Sequence, residues 1–380
     1  MKKLFLFFTI ATALTACIND DCYTWEDDFA DLTATDTVRI AIAWAESSAS
    51  VTGDDNGFVT VNGTHVTVRS STNKFLKLTL SGSTTDGSLL IYSWKKLGVE
   101  LNGVSITNQN GPAINNQCSK AFVVTCADGT TNTLADGTTY SAAPVTASGD
   151  TIDQKGTLFS EGQIYFRGNG TLNVYAAAKN GIASDDYIIF EDGTVNVNVA
   201  ATGTNGIKVN DGFTMNGGNL TIDVMADGAR GIKNDARTTI QGGITTITTS
   251  GDCKIETTDG IRDTTTAAGI KSDSLFVMTG GTLNITSTGD GGKGINCSEN
   301  VEFRGGTLQV STTGSNDVGK PKGIKSDTGI IVSGGSFNVT VKKSWACDNG
   351  TGSEDPADRV TIQGTPTTKT LLKRSVTIEY

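Results

Sequence analysis

The chain has 380 residues, with 40 acidic and 30 basic side chains, a formal net charge of -10 and one histidine. That charge argues against general nucleic-acid binding. A lone imidazole, His65, argues against zinc hydrolases, Ser-His-Asp triads and histidine-based acid–base chemistry, each of which needs an imidazole placed beside other groups.

The chain begins with Lys2-Lys3 and an apolar run at 4–14 that is too short for a stable membrane span. The run ends Leu14-Thr15-Ala16-Cys17, which looks like a bacterial lipoprotein cleavage site. Residues 1–16 are therefore expected to be a lipoprotein signal peptide, with Cys17 the lipidated first residue of the mature chain. Residues 17–35, with Asn19-Asp20-Asp21 and Glu26-Asp27-Asp28, read as an acidic tether. The expected location is the outer membrane, lipid-anchored and exposed at the cell surface, with the protein monomeric. Six further cysteines, Cys22, Cys118, Cys126, Cys253, Cys297 and Cys347, match no zinc spacing.

Residues 36–380 read as one elongated domain. Short runs such as Leu220-Thr221-Ile222-Asp223-Val224 alternate at period two and no helical apolar period is sustained, so the chain is expected to be all-β. The first coils, from Val38 to about Tyr92, are irregular, as terminal repeats of solenoids tend to be, and the segment from Leu101 to Tyr140 is more distinctive. From residue 181 one phrase returns: Gly181-Ile182, Gly206-Ile207, Gly231-Ile232, Gly269-Ile270, Gly294-Ile295 and Gly323-Ile324. A second Gly phrase follows each after 11 residues (181 to 192, 206 to 217, 231 to 242, 269 to 280, 294 to 305, 323 to 334). The return takes 14 residues in three cases, but 27 from Gly242 to Gly269 and 18 from Gly305 to Gly323. A period of about 25 residues with three short strands per coil predicts a single-stranded parallel β-helix. The pleat turns Ile inward, Lys outward, Ser or Asn inward and Asp outward in Gly-Ile-Lys-Ser-Asp. The inward polar column, Ser184, Val209, Asn234, Ser272, Cys297 and Ser326, is tolerable only if it hydrogen-bonds along the column or to turn backbone.

Several phrases carry a family resemblance: Leu101-Asn102-Gly103-Val104-Ser105-Ile106-Thr107, Gly111-Pro112-Ala113-Ile114-Asn115, Asp128-Gly129-Thr130-Thr131-Asn132-Thr133-Leu134, residues 155–162 and the Gly-Ile-Lys-Ser-Asp repeats. The chain resembles bacterial carbohydrate-binding domain proteins with a right-handed β-helix like that of pectate lyases, over roughly residues 36–380. The resemblance implies polysaccharide binding, of acidic pectin-like chains, with Ca2+ as candidate cofactor; it does not imply catalysis. It departs at Asn180, where family members often carry His before Gly-Ile.

Outward charges mark the candidate site. Lys208, Lys233 and Lys271 lie on consecutive coils with Lys325 two coils further, and Arg230, Lys293 and Lys322 stand just before Gly-Ile. With Arg262 these are the candidate carbohydrate-binding residues. Asp185, Asp186, Asp235, Asp259, Asp263, Asp273 and Asp327 are the candidate metal ligands. Neighbouring Lys and Asp columns also have a plainer reading, mutual neutralisation. Both insertions interrupt the turn before Gly-Ile, so they project from one side, and the longer, at 250–268, is expected to be a calcium or sugar loop. Two other functions stay open: a calcium-dependent polysaccharide lyase with Lys or Arg as base, and a structural adhesin without a ligand. Trp94, Trp345, Tyr165, Tyr175 and Tyr187 are candidate sugar platforms.

Overall fold

The computed structural model describes residues 36–146 and 149–380. The expected signal peptide, Cys17 and the tether lie outside the described residues. Among the described residues every regular element is a strand, apart from one 3-10 turn at Pro356–Arg359, so the chain is a parallel β-helix with three strands per coil. One sheet of 12 strands, the Gly-Ile sheet, runs from Val59–Asn62 to Trp345–Asp348, and all its strands after the first pair in parallel. A 23-stranded sheet holds the other two strands of each coil as two parallel ladders. One ladder has short strands such as Tyr187–Phe190 and Phe276–Met278; the other has six-residue strands such as Thr194–Val199 and Thr282–Ser287.

The repeat becomes vertical stacking. Ile182, Ile207, Ile232, Ile270, Ile295 and Ile324 are in register on successive coils and have no exposed surface. Each contributes about 2 kcal/mol by leaving water. The inward polar column is satisfied largely by turn carbonyls of the preceding coil. Ser184 Oγ donates to Gly162 O at 3.0 Å, Ser272 Oγ to Ala236 O at 2.8 Å and Ser326 Oγ to Glu299 O at 2.7 Å. Asn234 Nδ2 donates to Arg237 O in its own turn at 2.8 Å, and Cys297 Sγ lies 2.8 Å from Ser274 O. The column thus ties coil to coil without an orphaned hydroxyl.

Glycine before each Ile has a specific cause. A Cβ on Gly231 would sit 2.3 Å from Ile247 Cγ2 and 2.6 Å from Gly269 O, so backbone and core close on the same point.

The open ends of the stack are covered by antiparallel pairs. Thr37–Trp44 pairs Ala49–Thr52, Val59–Asn62 pairs His65–Ser70, and Ser375–Glu379 folds back along Ser336–Val341. Covering parallel edges this way removes templates for aggregation.

The insertions depart from the expected form. From the start of a six-residue strand to the start of the next Gly-Ile strand, regular coils take 11 residues (219 to 230, 282 to 293). The interval is 24 at 244 to 268, 15 at 307 to 322 and also 25 at 131 to 156, a third insertion in the same turn. The one expected as a loop at 250–268 contains a β-hairpin, Lys254–Thr258 against Ile261–Thr265. Its turn is Asp259-Gly260, both at positive φ (52° and 78°), the backbone a two-residue hairpin turn requires.

Candidate functional site

The Gly-Ile sheet presents the expected outward lysine column, in register from Ala183 through Lys208, Lys233, Lys271, Asn296 and Lys325 to Asp348. Its cations are neutralised in place. Lys208 and Lys233 both pair with Asp235, Lys271 with Asp273 and Lys325 with Asp327. Burial alone would raise the Asp235 pKa, but its hydrogen bonds to Lys208 and Lys233 outweigh that and hold it below the ordinary range. Three of the candidate metal ligands, Asp235, Asp273 and Asp327, are therefore committed to ammonium groups.

The column before Gly-Ile behaves differently. Arg230, Ala268, Lys293, Lys322 and Trp345 are in register along the corner where the insertions leave. Lys322 is drawn into a buried network in which Asp348 pairs with Lys322 and with Arg359, whose Nη1 lies 2.6 Å away. Lys293 reaches Thr266 Oγ1 at 2.8 Å. Burial, with added repulsion from Lys325, Lys322 and Arg230, pushes its pKa down to about 8 against the partial attraction of Cys253. Arg230 Nε is buried and has no hydrogen-bond partner. Arg262 stands exposed on the hairpin, and its side chain engages no other group among the described residues. Arg230, Lys293 and Arg262 are thus cations without a paired carboxylate, gathered around the hairpin.

The candidate metal ligands are not brought together as a set. Among the described residues one group of three carboxylates has ligand oxygens within 4.8 Å of one another, and it consists of Asp153, Glu161 and Asp185. Only Asp185 of these is anticipated from the repeat. Asp186 accepts instead from Gln163 Nε2 at 2.6 Å, and Asp259 and Asp263 lie on the exposed hairpin. The Lys155 ammonium lies 2.6 Å from Asp153 and 2.5 Å from Asp185. Burial pulls its pKa down, but the bonds to Asp153 and Asp185 prevail and raise it. Glu161 is pushed up by burial and by the charges of Asp185 and Asp153. Three carboxylates and one ammonium leave a formal charge of -2, and hard oxygen donors suit Ca2+. Three protein oxygens are fewer than Ca2+ takes, so water or sugar hydroxyls would complete its shell. Asp153 belongs to the third insertion, which precedes the regular Gly-Ile array and so interrupts no established repeat.

Of the candidate platforms, Tyr165 and Trp345 are buried, Trp345 between Arg359 (3.8 Å from its ring) and Lys373 (4.3 Å). Trp94 and Tyr175 keep about half their surface in water, 55% and 48%. Cys118, Cys126, Cys253, Cys297 and Cys347 are buried free thiols.

Comparison with known proteins adds to this geometry. A sequence-family model described as Carbohydrate-binding domain-containing protein matches residues 62–253 and 223–318. No curated protein matches the chain in sequence. A solved structure, that of the polysaccharide lyase-like protein from C. thermocellum as a gadolinium derivative, aligns at a TM-score of 0.57 and 24% identity. The alignment covers 70% of this chain and 97% of that one. At this identity the likeness shows a shared fold, and function has to be argued from the site.

Proposed function

Because the chain belongs to the family of carbohydrate-binding domain-containing proteins, we propose that it binds an acidic, pectin-like polysaccharide along the corner from which the insertions leave. The observation that carries this reading is Arg230, whose buried Nε has no hydrogen-bond partner, two coils from Lys293, whose charged form is disfavoured by burial first and by neighbouring cations second. Both gain from a carboxylate in direct contact: Arg230 feels Asp273 and Glu256 only at longer range, and Lys293 pairs with no carboxylate among the described residues. The neutralised lysine column becomes a flank of the site rather than its centre. Coils rise about 4.8 Å each, close to the repeat of an extended sugar chain, so successive uronates meet equivalent positions. Ca2+ at Asp153, Glu161 and Asp185 would bridge protein to sugar carboxylates further along the same edge.

Binding is favoured over cleavage. A lyase would set a base beside the metal that acidifies the sugar proton. Lys155, within the carboxylate group, has its pKa raised, the wrong direction for a base. Lys293, shifted the right way, stands four to five coils on, about 19–24 Å away.

The reading includes a lipid anchor at Cys17, an outer-membrane surface location and a monomeric state, motivated by the signal architecture of residues 1–16. The test is binding of polygalacturonate and of neutral glucans and galactans, with and without EDTA. Arg230→Ala together with Lys293→Ala should weaken polygalacturonate binding at least ~10-fold with the fold intact. Absence of polygalacturonate binding by the native chain overturns the proposal. Loss of membrane fractionation in Cys17→Ser checks the anchor.

A further inference from the structure

A cleft of about 550 Å³ opens under the third insertion, near the carboxylate group and about three coils before Arg230. It is a built feature. The insertion is pinned by Ser141 N to Asn110 O at 2.9 Å, by an antiparallel bridge between Val145 and Thr151, and by Ile152, which is 5% exposed. Asn115 Nδ2 holds the Asp153 carbonyl at 2.9 Å. The Tyr140 hydroxyl donates to Asp136 Oδ2 at 2.7 Å, which fixes the ring at the cleft wall.

The cleft lining carries one cation, Lys179, and one carboxylate, Asp153, so its formal charges cancel. The Lys179 ammonium donates to Gln154 O at 2.6 Å and lies 4.9 Å from the Tyr140 ring centroid. Asp136 accepts from Tyr140, and Asp153 is paired with Lys155. A charged ligand would lose hydration here without meeting a net countercharge in the lining. The hydroxyls of Thr138, Thr139, Ser141 and Thr151, by contrast, line the cleft and are engaged by no other group among the described residues. An aromatic wall with a rim of free hydroxyls and a volume in the range of small-ligand sites suits an uncharged sugar.

We propose that this cleft is a second sugar subsite, taking about one or two neutral pyranose units at an end or branch of the bound polysaccharide. It rests on the glycan-binding reading above but uses neither Arg230 nor Lys293, although it shares Asp153 with the carboxylate group. An acidic backbone would lie on the Arg230–Lys293 corner while a neutral unit seats in the cleft, so the protein distinguishes mixed chains from a plain polyuronate.

The experiment titrates the full chain with cellobiose, lactose, maltose and mannobiose, followed by saturation-transfer NMR and calorimetry. In parallel it measures polygalacturonate binding. At least one disaccharide should saturate at millimolar concentration. Ala143→Trp, which fills the cleft, should weaken that binding at least ~10-fold and leave polygalacturonate binding unchanged. If that variant unfolds, Thr139→Val with Ser141→Ala replaces it, with a several-fold loss expected. Absence of saturation by all four disaccharides, or equal saturation in a folded variant, overturns the proposal. Disaccharide binding without polygalacturonate binding would overturn the acidic-glycan reading and leave the cleft standing.

Discussion

The ammonium of Lys208 reaches across one coil to the carboxylate of Asp235, which also holds Lys233 at 3.1 Å. Two of the cations that mark the repeat as a basic stripe therefore share one counterion. Asp235→Asn should release both and raise affinity for polygalacturonate by about 2–5-fold at low salt, with the gain fading as salt is added. Titrations at two ionic strengths check this; unchanged affinity would mean the stripe does not contact ligand.

Lys293 sets a pH dependence. Its folded pKa of about 8 lies below the ordinary 10.5, so the folded state gives up the proton first as pH rises. Below about pH 8 both states are charged and the full cost of burying the ammonium is present. Between 8 and 10.5 the unfolded chain binds more protons, and stability rises across that window. Polyanion binding runs the other way, because only the charged form attracts a carboxylate. Affinity for polygalacturonate should fall about 2–5-fold from pH 7 to 9, and Lys293→Arg should flatten the fall. Cys253, Lys322, Lys325 and Arg230 are the charged or titratable neighbours that shape this titration.

At the carboxylate group the sign is opposite to that of a salt-bridged acid. Glu161 has a raised folded pKa, so its ionisation destabilises the fold increasingly as pH climbs through the ordinary Glu range to that higher value, and the penalty is complete above it. Ca2+ bound by these carboxylates would relieve the repulsion. Thermal midpoint at pH 7 should rise by a degree or more on adding millimolar Ca2+, and Glu161→Gln should raise the midpoint without Ca2+ and remove most of the response. A Ca2+ response that survives in Glu161→Gln would place the ion elsewhere.

At the C-terminal end, Asp348 answers two cations whose side chains are only 10% (Lys322) and 5% (Arg359) exposed. Burial alone would raise its pKa, but Lys322 and then Arg359 hold it below the ordinary Asp range. Its contribution is therefore present above that ordinary range and fades as pH falls through the lower folded value. Asp348→Asn strands both cations, and about 3 kcal/mol of stability should be lost, seen as a lower urea midpoint and faster amide exchange in Trp345–Asp348.

Gly231→Ala forces a methyl group against Ile247 and the Gly269 carbonyl at distances no relaxed pair adopts. Stability should drop by about 2–3 kcal/mol or more, whereas Gly260→Ala on the hairpin turn, with open space around its Cβ, should cost only about 1 kcal/mol for its positive φ. Paired denaturation curves check the ordering.

Much of this architecture is legible in the amino-acid order, for a geometric reason. A parallel β-helix places a residue over its counterpart one period on, so a repeat in the chain is a stack in space. Ile182 over Ile207 over Ile232, the lysines turned outward and the hydrogen-bonded column from Ser184 to Ser326 all follow from pleat and period. The turn Asp259-Gly260 also carried a hairpin signal, although the segment reads as a loop when charge alone is weighed.

What period does not determine is which charge meets which. Lys208 and Lys293 are equally basic in sequence, yet one ends on Asp235 and the other under the base of a hairpin. That difference depends on side-chain reach between coils and on how an insertion folds back, and neither repeats. Asp153, Glu161 and Asp185 likewise meet only because the third insertion returns to the edge where two adjacent coils present Glu161 and Asp185. Local periodicity built the scaffold; its interruptions, settled by tertiary packing, decided where the unspent charge lies.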